Sequence, residues 1–243
     1  TPRLDLRDLR AANRLQRPPV TPCPLLSSFH LLLHPLAVAL GNLVQVQREA
    51  LAGARLIANP GCFATGMLLL LHPLAQAGLL PTTVCLTGIT GSSGSGREPV
   101  TTTHHPERAQ NVRAYKSLAH QHLLEVEWFV NRRSGSDIEL QFVSQSAPVV
   151  RGIFTTLFLP GQDAAMVREE YERMYGNEAL IDVVGGSPDL RSVQTTPRSV
   201  IGIDGASGRG AVVFSAIDNL GKGAASQAIQ NLNCALGLPE TEG

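Results

Sequence analysis

Cys62 follows the turn sequence Asn59-Pro60-Gly61 and opens an apolar stretch, Phe63 to Leu71, with helical character. A thiol attacks carbon as its anion. A cysteine at a helix start faces unpaired backbone N–H groups and the positive end of the helix dipole, both of which favour that anion. Gly61 permits unusual backbone angles and close approach of a substrate, and Pro60 fixes the direction of the chain. Cys62 is therefore a candidate nucleophile, weighed against a cysteine that merely packs.

A second group is His120-Gln121-His122 followed by Glu125. An imidazole exchanges a proton near neutral pH, and a carboxylate nearby can orient it or raise its basicity. His122 and Glu125 fall on neighbouring positions of one helix face, whereas His120 and His122, two apart, should diverge on a helix. The bland alternative is a surface or structural pair. His104-His105 adds two more imidazoles, but nothing matches the His-Glu-x-x-His zinc pattern and no metal is expected. A third group, Gly91-Ser92-Ser93-Gly94-Ser95-Gly96, offers flexible backbone and hydroxyls suited to a phosphate or nicotinamide, and equally to a plain loop. It is not a dinucleotide fingerprint, because no strand, Gly-x-Gly-x-x-Gly and helix follow one another.

The elements that must position these groups are readable from residue 45 onward. The pattern predicts a short helix over 45–54, a strand over 55–58, and a helix from Cys62 through Ala77 kinked at Pro73. A buried strand over 84–88 leads into the glycine-serine loop, and a helix is expected over 118–130. Strands over 138–143 and 149–159 look like an antiparallel pair. A charged helix over 164–175, short strands over 180–184 and 199–203, a strand over 211–217 and a last helix over 222–236 complete the order. Strands separated by helices and long returns define an α+β domain with a mixed sheet. Residues 1–45, with scattered Arg, Leu and Pro, show no sustained period and form an irregular segment.

The 243 residues suffice for a hydrophobic core without disulfides. Twenty basic and twenty acidic side chains cancel, so no basic field draws nucleic acid or an anionic membrane. The four cysteines are dispersed, which points to reduced thiols and a cytoplasmic protein. The apolar runs are broken by His34-Pro35 and His72-Pro73, too short for a membrane span of about 20 residues, and no signal peptide is expected.

Taken together, Ile57 to Thr65, Thr90 to Gly96, Tyr115-Lys116, His120-Gln121-His122 with Glu125, Arg151-Gly152 and Asp218 to Ala225 resemble the N-acetyl-gamma-glutamyl-phosphate reductase family, in the family's order and over residues 46–243. The resemblance implies a catalytic domain of the glyceraldehyde-phosphate-dehydrogenase type over 46–217. It also implies a last helix within 218–243 that packs on an NADPH-binding Rossmann domain, most of which has no counterpart in residues 1–45. It implies a cysteine thioester formed from an acyl phosphate and reduced by NADPH to N-acetylglutamate 5-semialdehyde, a step of arginine biosynthesis. Cys62 would be the nucleophile, His120 or His122 the acid/base and Glu125 its orienter. Arg113, Lys116 and Arg151 would hold phosphate or carboxylate, and Ser93, Gly94, Gly96 and Asn219 would border the nicotinamide. Without the Rossmann domain the last helix and parts of the sheet would leave apolar surface uncovered, which invites a homo-oligomer. Three other readings stand beside it: a reductase of carrier-linked aminoadipyl phosphate in lysine synthesis, suggested by His104 to Arg108; a cysteine hydrolase; and a non-catalytic remnant.

Overall fold

The computed structural model describes residues 38–39 and 44–243, with side chains from Gln47 onward. The irregular segment expected over 1–45 lies almost wholly outside the described residues. Its last part contributes strand β1 (Val38–Ala39) and the start of helix α1 (Val44–Leu51). β1 pairs in parallel with β2 (Leu56–Ile57), which delivers the chain to the Asn59-Pro60-Gly61 turn.

Helix α2 (Cys62–Gln76) is buried along nearly its whole length, as its unbroken apolar sequence requires. Pro73 lies inside it, where it removes one N–H and leaves the carbonyl four residues earlier without a helical partner. Tyr175 supplies the replacement: its hydroxyl donates to the Leu69 carbonyl at 3.0 Å, and Tyr171 donates to the next carbonyl, Leu70. Both tyrosines are fully buried on α5 (Ala164–Tyr175), so the proline of one helix is accommodated by the phenols of another.

Seven strands form one mixed sheet in the order β4-β5-β3-β6-β9-β8-β7. They are β3 (Thr83–Thr90), β4 (Arg113–Tyr115), β5 (Glu139–Ser146), β6 (Ile153–Pro160), β7 (Ile181–Gly185), β8 (Ser199–Ala206) and β9 (Gly210–Ile217). The α+β class stands, with one correction of topology. β5 and β6 do not pair with each other; β3 lies between them, parallel to β5 and antiparallel to β6. A short helix α3 (His105–Arg108) precedes β4, and α4 (His122–Ser134) precedes β5. The helix expected to begin at Leu118 begins at His122, because Lys116 and Leu118 adopt left-handed backbone angles, φ 46° and 57°. The last helix, α6 (Ser226–Leu236), is entered through a single wide π turn over Gly221–Ala225.

Helices α2, α4 and α5 cover one face of the sheet, where Leu86, Phe142, Leu157, Val213 and Ile201 share the core with Phe63 and Met67. The opposite face alternates with it and carries Ile89, Phe154, Phe214 and Val212, half-buried, with Phe158 exposed. Among the described residues no helix is long and apolar enough to cross a membrane.

Candidate active site

The site is built where α2, α4 and the π turn meet. Cys62 is the first residue of α2, and Gly61 before it makes no side-chain cap, so the helix start is closed from outside. The His122 imidazole lies against Gly61: a Cβ placed there would fall 2.3 Å from His122 Nε2, so any larger residue would displace the ring. From the other side, a Cβ on Gly223 would come within 3.0 Å of the Cys62 Cβ. The start of α2 thus has the His122 imidazole against Gly61 on one side and the π turn against Cys62 on the other. π turns inside helices occur often at functional sites.

Asn59 fastens these parts together. Its Nδ2 donates to the Ala224 carbonyl at 3.1 Å, and its Oδ1 accepts from Asn231 Nδ2 at 2.9 Å. The turn before Cys62 is therefore tied to both the π turn and α6.

His120 and His122 do not diverge as two residues of one helix would, because α4 begins only at His122. Their rings lie 4.8 Å apart at 70°. His120 is 5% exposed and ringed by Phe63, Tyr115 and Phe142. Its Nδ1 accepts the His122 backbone N–H at 3.3 Å, satisfying an orphan donor of the first turn of α4. Burial holds it neutral, with its pKa pulled down to about 4. His122 is also depressed below the usual imidazole value, by burial and then by Lys116, and its buried Nδ1 has no hydrogen-bond partner.

Glu125 reaches the turn before Cys62. Its Oε2 accepts the Gly61 N–H at 3.4 Å. Burial raises its pKa, and that N–H opposes the rise. The Cys62 thiol likewise moves opposite to the direction expected of a helix start. Burial pushes it up, the N–H groups of Phe63 and Cys62 pull it back, and Glu125 pushes it up again. Desolvation outweighs the helix start here.

The remaining expected residues divide. Ser93 and Asn219 meet: Asn219 Nδ2 donates to Ser93 Oγ at 3.1 Å, Asn219 Oδ1 accepts from Gly152 N at 2.7 Å, and Ser93 Oγ donates to the Val150 carbonyl at 2.8 Å. Gly94 packs on Thr90 and Asn219, whereas Gly96, at φ 82°, stands open. Arg113 donates to the Glu107 carbonyl at 3.1 Å and Lys116 to Gln121 Oε1 at 2.7 Å, so both cations are partly engaged. Arg151 pairs through Nε with Asp218 at 3.4 Å.

Several neighbours went unassigned in the sequence reading. Tyr115 lies close enough to Cys62 for the thiolate's charge to add to burial in raising the phenol's pKa. Lys222 is fully buried, donates to Gln230 Oε1 at 2.6 Å, and is pulled down to about 7 by burial. Asn59, Tyr115, Asp218 and Lys222 all fall inside the quoted motifs, and that adjacency was the available signal. Among the described residues no three His, Cys, Asp or Glu side chains gather as metal ligands do.

The site is a half-buried thiol at a helix start on an α+β sheet, with a histidine pair and a carboxyl at the adjoining turn. A family model described as semialdehyde dehydrogenase, dimerisation domain, matches residues 62–219, and the chain belongs to that family. The chain is 38% identical over 211 residues to N-acetyl-gamma-glutamyl-phosphate reductase of Nitrosomonas eutropha, covering 85% of this chain and 62% of the relative. To the protein of the same name from Methanothrix thermoacetophila it is 41% identical over 202 residues, covering 79% and 58%. The chain thus spans about 60% of the length of these curated relatives. Among solved structures, aspartate semialdehyde dehydrogenase II from Vibrio cholerae superposes with a TM-score of 0.63 at 19% identity, over 81% of this chain and 68% of that one. A probable aspartate-semialdehyde dehydrogenase from Pseudomonas aeruginosa gives 0.62 at 19% identity, over 82% and 67%. These two likenesses establish the fold.

Proposed function

We propose that this chain carries the catalytic half of an N-acetyl-gamma-glutamyl-phosphate reductase, forming a thioester on Cys62 from N-acetylglutamyl 5-phosphate. The observation that carries the reading is the packing around the start of α2: the His122 imidazole against Gly61, Gly223 against Cys62, and Glu125 on the Gly61 N–H. The names of the two relatives, N-acetyl-gamma-glutamyl-phosphate reductase in both, support this substrate over a carrier-linked one.

His122 is the acid/base. With its pKa depressed it is neutral at pH 7 and can take the thiol proton, while His120 is bound into the aromatic ring set and serves as support. The Cys62 sulfur then attacks the acyl carbon, a C–S bond forms, and the C–O bond to phosphate breaks. A thiol raised by burial stays protonated until a substrate arrives, so the proton passes to His122 as the bond forms. NADPH, when bound, supplies the hydride that reduces the thioester carbonyl to the aldehyde level. Cys62 leaves as thiolate and recovers its proton from His122.

The exposed loop from Gly94 to Gly96 would border the nicotinamide. Asn219, its carboxamide already engaged with Gly152 and Ser93, would brace that loop rather than bind directly. Arg151 is the cation best disposed for a substrate oxyanion. Its outer nitrogens have no partner among the described residues, while Arg113 and Lys116 already donate elsewhere. The open sheet face around Phe154, Phe158 and Phe214 would be covered by a second copy, making a homo-oligomer. The apolar face of α6, with Ile229 47%, Leu232 51% and Leu236 63% exposed, would pack on the nucleotide-binding domain, and the enzyme would act in the cytoplasm.

The test is a single turnover. Mixed with N-acetylglutamyl 5-phosphate, the chain should release one phosphate per Cys62 and gain the acyl mass on that residue. Phosphate release at equal rate from Cys62→Ala would overturn the reading.

A further inference from the structure

Asp218 is fully buried at the end of β9, and its carboxylate is the most heavily used acceptor near the site. Oδ1 accepts the N–H groups of Leu220 at 2.8 Å and Gly221 at 2.9 Å, and Oδ2 accepts that of Thr195 at 2.6 Å. Thr195 is a β-branched residue at φ 62°, a conformation that persists only where its surroundings hold it. The loop it belongs to is fastened over Arg151 and Gly152: Gln194 Nε2 donates to the Arg151 carbonyl at 2.8 Å, and a Cβ on Gly152 would strike Leu190 at 2.7 Å. Through its own carbonyl, Asp218 also accepts the Gly223 N–H at 2.9 Å, and Gly223 abuts Cys62. One residue thus links the thiol's wall, a strained loop and Arg151.

Arg151 Nε is buried, makes no hydrogen bond, and lies 3.4 Å from Asp218 Oδ2, while about a third of the side chain remains exposed. The inner edge of the guanidinium is therefore fixed by charge alone, and the outer edge faces outward. Carboxylate and phosphate take two parallel N–H bonds from such an edge.

Resting on the function proposed above, we propose that Asp218 is a positioning residue that holds Arg151 by Nε and presents its outer nitrogens to an oxyanion of the substrate. Its carboxylate keeps Arg151 in register with Cys62 because the same residue fixes Gly223. A lysine at position 151 would keep the charge but lack both Nε and the planar edge.

The probe is the pair iodoacetate and iodoacetamide, anionic and neutral reagents for the same thiol, with modification of Cys62 followed by peptide mass in the full chain. The wild-type chain should prefer the anion, and Arg151→Gln should lower that preference by roughly three- to tenfold. Arg151→Lys should lower it nearly as far. Asp218→Asn should also lower it, whereas removal of a negative charge would by itself raise it, and in an Arg151→Gln background it should add nothing. The proposal is overturned if Arg151→Lys keeps the wild-type preference, if Asp218→Asn raises it, or if Asp218→Asn has its full effect without Arg151. Arg151→Lys leaves the three backbone N–H bonds of Asp218 untouched, so it decides the matter if Asp218→Asn does not fold. Phosphate release by the wild-type chain is followed in parallel: its absence counts against the proposed function, whereas a retained anion preference in the variants, with phosphate release intact, counts against the Asp218–Arg151 arrangement.

Discussion

Two regions of this domain bury polar groups, and they do so in opposite ways. Around α6, Lys222 donates to Gln230, Gln230 donates to Glu240, and Glu240 pairs with Arg48, which also holds Glu178 at 3.0 Å. Around Cys62 the pattern is incomplete: His122 Nδ1 has no partner, Glu125 has one long bond, and the thiol is pushed away from its charged form. A buried polar group left unpaired costs about 1–3 kcal/mol, so such a cluster survives where something else requires it. The paired network fixes the fold, and the unpaired one leaves its groups open to the chemistry proposed for Cys62.

The contrast predicts which substitutions remove chemistry and which remove stability. Cys62→Ala should abolish phosphate release from the acyl phosphate, by on the order of 10⁴-fold, with the melting temperature little changed. His122→Asn should slow the same step by roughly 10²- to 10³-fold, since general acid–base catalysis contributes about that much. Gly61→Ala should act on both readouts. The new methyl meets His122 Nε2, displacing the imidazole and costing about 1–3 kcal/mol in a denaturant titration. Tyr175→Phe belongs to the paired class. It strips the donor from the Leu69 carbonyl above Pro73, should cost about 1–3 kcal/mol, and should leave phosphate release unchanged.

A further prediction carries the comparison into pH. Lys222 titrates at about 7 when folded, against 10.5 as an ordinary lysine. Between those values the unfolded chain binds the extra proton, so this group makes stability rise as pH climbs from 7 toward 10.5. Melting curves of Lys222→Met should lack that component relative to wild type, while the wild-type dependence of Cys62 reactivity on pH persists.

Much of this was legible from residue order alone. The start of α2 followed from Asn59-Pro60-Gly61, and the residues gathered at the site lie within short motifs. What was hidden depended on tertiary placement. Strand order is a long-range property, so two adjacent strand patterns, β5 and β6, gave no sign that β3 lies between them. Helical spacing continues upstream of His122, and only the left-handed angles at Lys116 and Leu118 stop α4 there and bring His120 against His122. The thiol's shift reversed because burial by α4 and the π turn, which no local pattern encodes, exceeds the pull of the helix start. Pro73 suggested a kink, and the partner that accommodates it, Tyr175, lies a hundred residues away in sequence.

The most direct measurement is the pH dependence of Cys62 alkylation by iodoacetamide, read at the peptide level. If the thiol and His122 are both neutral in the resting site, with the imidazole acting as base only when an acyl group arrives, the rate should climb with a midpoint above the ordinary thiol value of 9.0. It should show no plateau between pH 5 and 7. A thiolate plateau in that acidic range, abolished by His122→Asn, would mean a preformed ion pair and would contradict the account.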